Sequence, residues 1–379
     1  MFKKIEIWIL YLILFLCFPL LIVYGSLVRH EMVGGTALKK INAGWLSQTA
    51  LFLAEIPINV KKYFSSELNL PDRFPDLEGF DGEPNNDETY LLLSRYDGDL
   101  REGVVELIDL TNFQIIHTWN PDINKFNKLV KKIDEFKYLN RDGHNARLVP
   151  RHPILLNDGG LVFRSLPLRK INECSDLVFQ VTKDAFDHSL ELDNSGNIWA
   201  RSYFYPQTID ERIVGRETLE KGGYYDDAIV KLSPDGEILF EKSVSQIFID
   251  NGLDYLLFAN GNDYENDPIH LNDIQPVDFD GDFWKKGDVF LSMRNQSMVL
   301  LYRPSTNEII WKGNGPFFHQ HDVDIIDDHR IAIFNNNSIN VVGNTNIVNG
   351  HNEVNVYNFK TDKYSSYLKS SLEDYDVRT

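Results

Sequence analysis

Three of the ten histidines in this 379-residue chain, His188, His270 and His321, each open a segment that runs through a polar turn into a β-rich stretch. The segments read DHSLELDNSGNIWARS, IHLNDIQPVDFDGDFWKKGDVFLSMR and QHDVDIIDDHRIAIFNN. Imidazole is the side chain whose ordinary pKa lies near neutrality, so it can act as nucleophile, proton carrier or metal ligand. Arg294, at the end of the second segment, brings a rigid fork of donors suited to an oxyanion, and Asn272, two residues past His270, brings a neutral donor. This set suits transfer of an anionic group by a neutral base beside a fixed cation. Three histidines could also ligate zinc or copper with one position open. An axial Arg294 disfavours that reading, because guanidinium and metal ion repel.

The elements that must position these residues read as β-hairpins. Each histidine-led segment is a strand, an Asp/Asn/Gly turn and a second strand. ILLNDGGLVFRS, with His152 just ahead, is a fourth of the kind. A second recurring unit, VVELIDLTNFQIIHTW, AIVKLSPDGEILFEKS, MVLLYRPSTNEIIWKG and EVNVYNFKTDKYSSYL, also reads strand, turn, strand. Histidine-led hairpins followed by these hairpins predict inner and outer halves of propeller blades, with a repeat of roughly 40 to 50 residues. Equivalent positions in such a radial array converge on its axis. The predicted fold is therefore all-β, a six-bladed β-propeller; a β-sandwich with a small second domain is the competing architecture and does not explain the order of the hairpins. Two insertions, Tyr205 to Tyr225 and Asp250 to Asp267, are expected on a face, shaping a pocket.

Ahead of the strands, Ile7 to Val28 contains no charged residue and as a helix covers about 33 Å, enough to span a bilayer. Lys3 and Lys4 precede it and Arg29 follows, which favours a cytoplasmic N-terminus and an exported domain, periplasmic or extracellular. The run is long for a signal peptide and no A-x-A site follows, so an uncleaved signal anchor is expected. Ala37 to Phe64 reads as a juxtamembrane helix interrupted near Pro57, and Asn69 to Glu88 as a linker. The predicted layout is residues 1–30 as anchor, 31–88 as juxtamembrane helix and linker, and 89–379 as the propeller. A net charge of −18 argues against a nucleic-acid partner. The two cysteines, Cys17 in the apolar run and Cys174, cannot form a disulfide within the domain.

The run DPIHLNDIQPVD, then VFLSMRNQSMVLLY, EIIWKGNG, QHDVDII and IAIFNNN, resembles the arylsulfate sulfotransferase family, most specifically from Asp267 to Asn337. The resemblance implies an exported propeller that passes a sulfuryl group from an aryl sulfate to a phenol through a sulfohistidine, with no nucleotide donor, cofactor or metal. It implies His321 as nucleophile, Arg294 as the sulfate-binding arginine, and His188, His270 and Asn272 as supporting groups. Asn335 is expected among the substrate-binding residues. His188 or His270 could protonate the departing phenolate and later deprotonate the acceptor. His319 shares a face with His321 if the strand is continuous, and is the alternative nucleophile. The chain has no GxxxxGK[ST], HExxH or EF-hand loop. A noncatalytic propeller binding a glycan, peptide or protein is the other function these features allow.

Overall fold

The structure, a computed structural model, describes residues 6–32, 37–64, 79–80, 82–131, 136, 138–214, 223–259, 264–341 and 345–373. They form two units, the N-terminal helices and the β-rich remainder. In the first unit, Ile7–Met32 is one helix of 26 residues. By length and composition it can cross a membrane. Its apolar side chains are largely uncovered, Phe15 being 75% exposed. The helix Gly44–Phe64 packs against it, and Ser47 Oγ donates to the buried Glu31 carboxylate at 2.7 Å. The interruption expected near Pro57 is not there, and the helix runs on to Phe64. Proline removes one main-chain bond from the ladder, a local loss that the turns on either side outlast. The linker lies mostly outside the described residues.

The second unit opens with a meander of β1 (Tyr90–Asp97), β2 (Glu102–Asp109) and β3 (Gln114–Trp119). A seven-stranded sheet follows, made of β4 (Arg151–Leu155), β5 (Leu161–Arg164), β6 (Leu166–Ile171), β7 (Leu177–Leu192), β8 (Ile198–Tyr203), β9 (Asp227–Leu232) and β10 (Ile238–Ser243). Next come β11 (Leu271–Pro276), β12 (Val289–Met293), β13 (Met298–Arg303) and β14 (Glu308–Gly313). The last sheet holds β15 (Val323–Ile325), β16 (Arg330–Asn335), β19 (Glu353–Asn358) and β20 (Lys363–Tyr367), with the hairpin β17 (Ser338–Val341) and β18 (Thr345–Val348) inserted. Among the described residues every pairing is antiparallel.

The seven-stranded sheet is two meanders fused through β7. Leu177–Val181 pairs with β6 as an outer strand, and Phe186–Leu192 pairs with β8 as an inner one. The first strand of each meander lies beside the first strand of the next, β1 by β4, β4 by β7, β7 by β11 and β11 by β15. These five inner strands define an axis, the arrangement of a β-propeller. Six blades are expected from the length; among the described residues there are five meanders.

Strand alternation explains the stacking. Leu161 and Phe163 face Val105 and Trp119 of the preceding sheet, while Val162 between them faces Ile198 and Val230 of the following meander. In the same way Leu291 joins Trp199 and Ile229 on one side, and Phe290 joins Val323, Ile331 and Ile333 on the other. Each central strand thus serves two cores. Burying one such side chain contributes about 1.5–3 kcal/mol.

Candidate active site

His152, His188, His270 and His319 all lie at or just before an inner strand with φ of 47°, 57°, 52° and 50°. This left-handed conformation is uncommon outside glycine and several-fold enriched in histidine. It turns the chain sharply as it enters the axis, and the ladder shifts register just after His152, at His188 and just after His270. The backbone equivalence expected of His188, His270 and His321 therefore falls instead to His188, His270 and His319. His321 stands two residues farther on.

The rings nevertheless meet. His188 and His270 have centroids 5.0 Å apart at 83°, and His188 and His321 have centroids 6.3 Å apart at 31°. His319 has other contacts: its Nδ1 lies 3.3 Å from Ser338 Oγ, and it lines a cleft of about 320 Å³ with Arg294, Tyr264, Glu265, Pro268, Asn295 and Asn340. Face sharing between His319 and His321 fails because β15 begins only at Val323. Tyr264 and Glu265 come from the second of the two insertions.

Each imidazole has a distinct partner. His188 Nδ1 lies 2.9 Å from Arg201 Nη1. His270 Nδ1 lies 2.5 Å from Asp267 Oδ2, and since a carboxylate accepts, Nδ1 carries the proton there. His321 Nδ1 lies 2.6 Å from Asn336 Nδ2. An amide has one donor end and one acceptor end, so the end that faces Nδ1 selects the His321 tautomer. Burial, then His188 and Arg294, push His321 down to about 4; burial, then Arg201, push His188 down to about 4 against the pull of Asp187. Both rings are neutral near pH 7.

Arg294 follows β12, and its backbone N–H donates to His270 O at 3.0 Å, so the sheet register sets the two side by side. Its guanidinium donates to Asn295 Oδ1 and lines the cleft. Asn272 is buried, and its Nδ2 donates to Gln320 O at 3.0 Å. Gln320 is itself fully buried and donates to Met293 O and Met298 O. Together they pin the His319–His321 segment beside His270. Asn335 is fully buried too, and its Oδ1 accepts from Phe318 N and Asn337 N. It braces the loop; the amide that reaches His321 is that of Asn336.

The sequence reading missed Arg201, Asp267 and Asn336. It also missed a carboxylate three residues after each of three left-handed histidines: Glu191, Asp273 and Asp322. HSLE, HLND and HQHD carry that signal. Burial, then Asp273, Asp322 and Asp324, push Glu191 up to about 8, and burial followed by Asp322 raises Asp273.

A propeller whose axial mouth gathers neutral imidazoles beside arginine is the class of protein these observations define. The chain belongs to the arylsulfotransferase (ASST) family, which it matches over residues 152–379. Its function is accordingly of the arylsulfotransferase type. No curated protein matches the chain. Among solved structures it is similar to a protein of unknown function from Bacteroides caccae (TM-score 0.42, 8% identity, 70% of this chain and 68% of that one). It is also similar to the Neurospora crassa Pan2 WD40 domain (0.41, 9%, 75% and 63%) and to a streptogramin B lyase (0.35, 12%, 79% and 70%).

Proposed function

We propose that the protein moves a sulfuryl group from an aryl sulfate to a phenolic acceptor through a covalent intermediate on His321. The observation that carries this reading is the convergence of His188, His270 and His321 on one point, with Arg294 beside His270. Sulfuryl transfer needs positioning and stabilisation of oxygen charge more than elaborate covalent machinery. In the first step His321 Nε2 attacks sulfur, the S–O bond to the aryl group breaks, and a flanking histidine delivers a proton to the phenolate. In the second, the acceptor phenol gives its proton to that histidine and its oxygen takes the sulfuryl group. The attack needs a lone pair on Nε2, which His321 has when the Asn336 amide turns its oxygen to Nδ1–H. Arg294 holds the sulfate oxygens and offsets the acidic character of the chain.

The uncovered apolar helix Ile7–Met32 supports anchoring at a membrane, with the propeller exported. Protease added to intact spheroplasts should then degrade the propeller; full protection would reverse the orientation. For the reaction, the purified protein is incubated with a chromogenic aryl sulfate with and without phenol. Release of the chromogenic phenol should depend on the acceptor, and without acceptor a sulfuryl adduct should appear on the peptide holding His319 and His321. Release indifferent to acceptor indicates a sulfatase, and no release at all leaves the noncatalytic binding module.

A further inference from the structure

We propose that Arg201 is a positioning residue that holds His188 permanently as an Nε2–H hydrogen-bond donor, so that proton transfer falls to His270 with Asp267. The inference rests on the reaction proposed above and names which flanking histidine carries the proton.

Arg201 is fully buried, as is its partner Asp227, whose Oδ1 accepts from Nε at 2.9 Å and from Nη2 at 2.5 Å. The Tyr203 ring covers the guanidinium, 4.1 Å from its carbon. Asp227 Oδ2 accepts from Leu271 N at 2.9 Å, which ties the clamp to the residue after His270. The remaining nitrogen, Nη1, points at His188 Nδ1 from 2.9 Å. A guanidinium has five donors and no acceptor. A proton on His188 Nδ1 would set two N–H groups head to head, so Nδ1 must accept and the single ring proton must sit on Nε2. An asparagine amide can be turned end for end to change a tautomer, as at His321; an arginine cannot.

The groups facing His188 agree. On its own sheet are Asp187, Arg164 and Arg201, and from the neighbouring blades come His270 and His321. Asp187 Oδ2 is farther from Nδ1, at 3.3 Å, and that carboxylate already binds Arg164 and lies 3.4 Å from Arg201 Nη1. Burial first, then Arg201 and His270, holds the pKa of His188 low against the opposing pull of Asp187. A neutral Nε2–H can bind a sulfate oxygen but gives up its proton only as imidazolate, which excludes it as the acid. His270 differs at the same atom. Asp267 holds its Nδ1–H, leaving Nε2 to carry a proton before the first step, release it to the phenolate and recover it from the acceptor phenol.

The test is a long-range ¹H–¹⁵N spectrum of the full chain in detergent micelles with labelled histidine, without substrate, followed over about pH 5.5–8. His188 should keep the Nε2–H pattern throughout. In Arg201→Met combined with Asp227→Asn, which removes the donor and its charge partner together, His188 should titrate, and the pH profile of kcat/KM should gain a second group. An Nδ1–H or doubly protonated His188 in the unaltered protein overturns the proposal, as does an unchanged His188 spectrum in the double variant. If that variant does not fold, the spectrum of the unaltered protein decides. A locked His188 in a protein without sulfuryl transfer would sink the proposed reaction and leave the lock standing.

Discussion

Two arginines stand across the ladder from two axial histidines, Arg201 opposite the bulge at His188 and Arg294 opposite His270. The first is completely buried and the second lines the cleft. Part of the difference is a carboxylate. The third strand of the His188 blade opens with Asp227, which closes on Arg201, whereas that of the His270 blade opens with Met298. The rest is position, since Arg201 is inside β8 and Arg294 is one residue past β12, in the turn. The same residue type thus becomes a clamp on the protein in one blade and a group offered to an anion in the other. A thioether cannot pair with guanidinium, and a turn lets the side chain swing outward.

The most severe test removes the group that both sides serve. His321→Ala should reduce acceptor-dependent transfer to background with thermal stability retained, measured by phenol release and calorimetry; near-normal transfer would move the nucleophile elsewhere. The two arginines should then separate cleanly. Arg201→Met strands buried Asp227 without its cation and should cost about 3–5 kcal/mol in urea unfolding. Arg294→Met should leave stability within about 0.5 kcal/mol while lowering kcat/KM about 10²–10³-fold. Equal stability losses in the two variants would erase the distinction between clamp and substrate group.

A finer test concerns Asn336. Asn336→Asp presents only acceptor oxygens to His321 Nδ1 and should transfer faster than Asn336→Ala, which is expected to lose about tenfold, roughly 1.4 kcal/mol of barrier. Equal rates in the two variants would remove Asn336 from tautomer control. The smallest effect concerns Glu191. Its folded pKa of about 8 lies above the unfolded value, so between the two the folded state binds more protons and stability falls as pH rises. His188 and His321, lowered to about 4, act with the opposite sign, but only below their ordinary value near 6.5. From about pH 6.5 to 8 the acids act alone. There the melting temperature should fall by about 2–4 °C, and Glu191→Gln should flatten the slope; an unchanged slope would mean that Glu191 is ionised throughout.

The sequence by itself determined the hairpins, because period-2 alternation and Asp/Asn/Gly turns are local signals, and it determined the apolar helix, because length and absence of charge suffice. It carried the fused outer hairpin β6–β7 poorly, since the turn at Asn172–Asp176 has no glycine and Ser175 takes the left-handed position instead. Only the tertiary structure decided which histidine is equivalent to which. The left-handed turn at His319 cancels the alternation that would have put it on one face with His321, and a dihedral angle is invisible in a string of residues. The fate of each histidine was decided the same way, by partners such as Arg201, Asp267 and Asn336 that pairing and loop geometry bring to a ring nitrogen. A tautomer is set by what stands 3 Å away in space, and no spacing along the chain encodes that distance.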